Sequence, residues 1–85
     1  MESKYLDFVK ETMPNRKTPL VHVMNKETTY LGLIYFNPSW RKYVFEPEAN
    51  IIFDSGCLTD IITQLNELTK EWREGLKNDS KRKVN

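Results

Sequence analysis

His22 is the only imidazole in the chain and Cys57 the only thiol. A Cys–His nucleophile needs the two side by side in space, and nothing in their spacing argues for that. Cys57 opens a helical pattern, where the helix dipole would lower a thiol pKa. A small buried residue packing under Ile61 accounts for it more simply. His22 reads as an ordinary strand residue. One histidine and one cysteine far apart also lack the spacing of a zinc site. Asp54, Asp60, Glu46 and Glu48 could supply carboxylates for acid–base work, but helix capping and solvated loops explain them. Three scattered glycines make no phosphate-binding loop. The expectation is a protein with no catalytic residue, no metal and no cofactor, and so not an enzyme.

The run Trp40-Arg41-Lys42-Tyr43 has more to offer. Aromatics interleaved with cations form single-strand nucleic-acid platforms, through stacking and phosphate contact. Trp, Tyr and Arg are also the residues enriched in protein-binding hot spots. The plainest alternative places Trp40 on a turn and Tyr43 in the core.

These residues must be held by the elements around them. Tyr5, Phe8, Val9 and Met13 share one stripe at helical spacing, which predicts a short helix over 3–13 stopped by Pro14 and Asn15. Leu20–Met24 is dense in strand formers, as is Thr28–Phe36, and the run from Trp40 to Pro47 predicts a third strand. The turn signals are Asn25–Thr28 and Asn37-Pro38-Ser39. Ile51-Ile52-Phe53 is a short edge strand or an extended lead-in. From Asp54 the period changes: Leu58, Ile61, Ile62, Leu65, Leu68 and Trp72 mark an amphipathic helix over 55–74, about five turns long. Asp54 or Ser55 can cap it and Gly75 offers a stop. Residues 1–76 then form one domain, and 77–85, with Lys81-Arg82-Lys83, a disordered basic tail.

The resulting order is α-β-β-β-α, with an antiparallel meander of three or four strands and the long helix on one face: an α+β fold. That order also resembles the double-stranded RNA-binding domain. The lysine cluster such a domain places at the start of its last helix is replaced here by Ser55-Gly56-Cys57-Leu58-Thr59-Asp60.

Pairing Phe36 with Arg41 and Met24 with Thr29 sorts the side chains into two faces. Val21, Val23, Ile34, Phe36, Tyr43 and Phe45 lie on one, with Gly32 leaving the long helix room to approach. Leu20, Met24, Leu31, Leu33, Tyr35 and Val44 lie on the other. A half-exposed antiparallel sheet normally alternates apolar with polar residues, and large bare apolar patches mark interfaces. The second face therefore calls for a cover: the N-terminal helix, a second copy in a symmetric dimer, or another protein.

Whole-chain quantities narrow the classes further. Eighty-five residues make one small domain. A net charge of +1 disfavours a global electrostatic grip on nucleic acid or membrane. No apolar run reaches the ~20 residues of a membrane span. The N-terminal MESKYLDFVKE has no signal-peptide core. A lone cysteine excludes an internal disulfide and fits a reducing, cytoplasmic compartment.

Between Leu31 and Leu68 the residues read Leu-Gly-x-Ile, an aromatic pair, Pro-x-Trp-Arg-Lys-Tyr, Phe-x-Pro, then Ile-Phe-x-x-x-Cys-Leu-x-Asp-Ile. This string resembles a family of small uncharacterised proteins carried by phages and integrative elements of bacteria, with the pattern LGxIxW, PWRxYxFxP and CLxDI. It covers roughly the central half of the chain and carries no known chemistry. Members usually place charged residues where this chain has Leu33 and Tyr35, which makes its second face stickier. The resemblance implies a phage- or mobile-element-encoded accessory protein acting in the host cytoplasm by binding. Occlusion of a host or self partner is the expected mechanism, and an inhibitor of a bacterial defence system fits that size and setting. Leu31, Leu33, Tyr35, Trp40, Arg41 and Lys42 are the expected partner-binding residues. A nucleic-acid-binding module using Trp40, Arg41, Lys42 and Tyr43 is the competing reading.

Overall fold

The computed structural model describes the backbone of residues 5–84 and the side chains of residues 5–76. Four strands precede one helix: β1 (Leu6–Glu11), β2 (Leu20–Asn25), β3 (Tyr30–Asn37), β4 (Lys42–Pro47) and α1 (Ser55–Val84). The strands form a single antiparallel sheet in the order β1-β2-β3-β4. The helix packs on one face, giving the α+β meander the residues imply.

The fourth strand is not the Ile51–Phe53 tripeptide but the segment expected to be the N-terminal helix. Residues 6–11 pair with β2 along their whole length, from Leu6 opposite Asn25 to Glu11 opposite Leu20. The helical stripe through Tyr5, Phe8 and Val9 loses to a period of two. Leu6 and Phe8 face the core, while Asp7, Val9 and Glu11 face out. A short helix would gain little alone in water, whereas the free edge of β2 offers a complete ladder. Residues 3 and 4 of the expected helix lie outside the described residues. Ile51 and Phe53 serve as the lead-in to α1, with the Phe53 ring edge-on to Phe45 at 5.7 Å.

Both hairpins close one residue further along than expected, and one is irregular. Phe36 pairs with Tyr43 and Asn37 with Lys42, so the loop holds 38–41. Asn37 anchors it: its Oδ1 accepts from the Ser39 and Trp40 N–H groups at 3.0 and 3.2 Å, and its carbonyl from Arg41 N–H at 2.8 Å. The register moves by two residues from Phe36–Arg41, so each side chain keeps its face. Between β2 and β3, Val23 pairs with Gly32 but Met24 with Tyr30. Leu31 is the extra residue of a bulge. It turns inward and is only 7% exposed, which removes it from the second face. Tyr30 turns outward instead.

Leu6, Val21, Val23 and Ile34 form the floor of the core, and Ile61 and Leu68 press onto it from α1. Leu65, Trp72 and Cys57 extend that stripe. Leu58 and Ile62, expected on it, are 43% and 55% exposed. Asp54 caps the helix: its Oδ1 accepts from the Cys57 N–H at 2.9 Å. Gly32 does not make room for α1. The space where its Cβ would stand is filled by the Phe45 ring, 2.8 Å away, and the Glu46 carbonyl, 2.5 Å away. Nor does Gly75 end the helix, which continues to Val84. Of the tail expected at 77–85, the backbone is helical through Val84 and the side chains lie outside the described residues.

Candidate functional site

The outer face of the sheet carries Leu33 and Tyr35 of β3. Tyr35 stands opposite Val44, and Leu33 lies between His22 and Glu46. Leu20 adds a fourth apolar group from the neighbouring strand. All four are half-buried by adjacent side chains on the same face. The cover expected from the N-terminus is absent, because β1 extends the sheet sideways instead of crossing it. Among the described residues, no element packs over this face.

Polar pairs border the apolar patch. The Tyr35 hydroxyl donates to Glu46 at 3.3 Å, and Lys26 Nζ donates to Asp7 at 2.6 Å. The bulge also builds a chain that the residues alone did not announce. His22 Nε2 lies 2.8 Å from Glu11 Oε1, and His22 Nδ1 lies 2.9 Å from the Tyr30 hydroxyl. With Nε2 protonated toward the carboxylate, Nδ1 accepts the phenolic proton. Burial raises the Tyr30 pKa, and the negative charges of Glu48 and Glu11 add to it, so the phenol holds its proton. His22 is thus the centre of a three-strand polar clamp rather than an ordinary strand residue. The signal was Tyr30 and His22 both flanking a strand irregularity, which periodicity does not reveal.

The run Trp40–Tyr43 is divided by the fold. Trp40 sits at the hairpin tip, 65% exposed. The Arg41 guanidinium lies over the Trp72 ring at 5.5 Å, and Arg41 takes a positive φ of 57° to close the loop. Lys42 is exposed at the start of β4. Tyr43 points the other way, into the core, with its ring edge-on to Phe36 at 5.5 Å. It offers no face to a base. Of the six expected contact residues, the structure therefore gathers Leu33 with Tyr35, and Trp40 with Arg41 and Lys42, as two separate patches.

Cys57 packs against the core. Its thiol is pushed up by burial and by the neighbouring Asp54, the reverse of what a nucleophile needs. Among the described residues, no three of His, Cys, Asp and Glu gather closely enough to hold a metal ion. No helix there is long and apolar enough to cross a membrane.

No family model matches the chain, and no solved structure matches it. It is similar to the "Uncharacterized 9.3 kDa protein" of Acholeplasma phage L2, with 36% identity over 73 residues. The alignment covers 85% of this chain and 94% of the phage protein. At that identity and coverage the chain belongs to the same family as this small phage protein.

Proposed function

We propose that the protein is not an enzyme and acts by binding and occluding a protein of the host cell. The observation that supports this reading is the open outer face: Leu20, Leu33, Tyr35 and Val44 form an apolar patch under no described element. Leu33 and Tyr35 are its centre, and the polar side chains of Glu46, His22 and Glu11 form a rim of the kind that surrounds transient interfaces. A phage protein that blocks a host defence component by sitting on it needs only such a surface. The kinship with a phage protein fits that setting.

Leu33→Glu tests the reading. The patch has no internal cover, so the variant should keep the wild-type circular dichroism spectrum and lose less than about 1.5 kcal/mol in urea. Tagged wild-type protein should capture a defined host protein from cytoplasmic extract, and the variant should not. Light scattering checks the self-association alternative: a dimer in the wild type that becomes a monomer in Leu33→Glu would assign the patch to a second copy. Equal capture by both proteins would falsify the proposal.

A further inference from the structure

The helix sorts its charges to two sides. Glu67 and Glu71 border the clefts toward β1, together with Lys10. On the opposite side, Asn66, Thr69, Lys70 and Arg73 meet Lys42 and Tyr43 of β4 across an open groove of about 590 Å³. Three cations line it and no acid does. The Lys26–Asp7 ion pair and the His22–Glu11 hydrogen bond both lie away from the groove. A chain with a net charge of only +1 thus gathers three cations along one groove whose lining has no acid.

The groove is also structurally fixed. The Tyr43 N–H donates to Thr69 Oγ1 at 3.1 Å, which pins the start of β4 to α1. The Thr69 hydroxyl proton and the Asn66 amide remain as neutral donors beside the cations. Trp40, two residues before Lys42, is the largely exposed aromatic of this end of the molecule. Cations with flanking donors suit a chain of phosphates. An exposed aromatic two residues from Lys42 suits an unpaired base, whose π-face an acidic peptide lacks.

We propose that the groove between β4 and α1 binds single-stranded nucleic acid, with Lys42, Lys70 and Arg73 on successive phosphates and Trp40 stacked on a base. The surface is distinct from the outer sheet face and does not depend on what that face binds. Its cations come from two elements distant in the chain, so it differs from the linear Trp40–Tyr43 run, whose tyrosine is buried. The contacts reach phosphate and base rather than sugar, so deoxyribose and ribose strands are bound alike.

Anisotropy of a fluorescein-labelled 20-mer of thymidine, titrated with the full chain, tests this. The expected dissociation constant at low salt is on the order of 10 μM, weakening with salt at a log–log slope of roughly −2 for three phosphate contacts. Lys70→Glu combined with Arg73→Glu, both on exposed positions, should weaken binding at least about tenfold and flatten the slope. Trp40→Ala should weaken it about fivefold or more while leaving the slope intact, because stacking releases no counterion. Lys10→Glu, on the other side of the helix, should change nothing. Absence of binding at low salt overturns the proposal. So does indifference to the Lys70–Arg73 pair. Displacement by polyglutamate, combined with indifference to Trp40→Ala, overturns it in favour of an acidic peptide.

Discussion

Thr28 holds a backbone conformation that its side chain opposes. It closes the β2–β3 loop at a φ of 69°, although a β-branched residue is among the least suited to the left-handed region. Asn25 makes the conformation possible by accepting the Glu27 and Thr29 N–H groups on its side-chain oxygen, both at 2.9 Å. Thr28→Asn should therefore stabilise the fold by about 1 kcal/mol in urea titration, since asparagine tolerates that region. At the start of α1 Asp54 is a single carboxylate with a structural duty. Backbone N–H donation from Cys57 holds its pKa below the ordinary value of 3.8. A depressed folded-state pKa adds stability that is complete above the ordinary value and vanishes as pH falls through the folded one. Asp54→Asn keeps a capping oxygen without the titration. The melting-temperature difference between wild type and Asp54→Asn should be flat above about pH 5 and shrink below about pH 4.

The elements differ in how far they could be read in advance. The long helix announced itself through Ile61, Leu65, Leu68 and Trp72, because burial against one sheet imposes a stripe. Leu58 and Ile62 widened that stripe deceptively, since a helix with a single neighbour leaves its flanks in water. The meander and its two faces were legible because moving a register by two residues preserves parity. Leu31 was not, because a bulge obeys no period. β1 was misread for a different reason: Leu6–Glu11 fits both spacings, and the deciding partner, β2, lies beyond a loop. For the same reason Leu33, Tyr35 and Trp40 could be nominated from the residues alone, while the groove could not. Lys42 meets Lys70 and Arg73 only after the chain has folded back. Gly75 shows how a stop signal can be overridden: it lies inside α1 with nothing within 4 Å of where a Cβ would stand. Gly75→Ala should raise stability by roughly 0.5–1 kcal/mol, read from the urea midpoint.

Across the whole molecule, one helix must hold a four-stranded sheet, and at the β3–β4 hairpin it does so through an aromatic contact. Trp72 lies 4.6 Å from Phe36, with Arg41 over its face. Trp72→Ala should cost about 3 kcal/mol in chemical denaturation and loosen the β3–β4 hairpin, seen as faster amide exchange in β4. The strand order has a kinetic corollary. Every strand lies beside its immediate predecessor in the chain, so each hairpin can zip as soon as its second arm exists, with little loop entropy to overcome. Synthesis from the N-terminus then completes all four arms while the stretch destined to shield Val21, Val23 and Ile34 is still being made. Nascent chains halted before Ser55 should accordingly be the aggregation-prone species of this protein, because α1 is the element that covers those side chains.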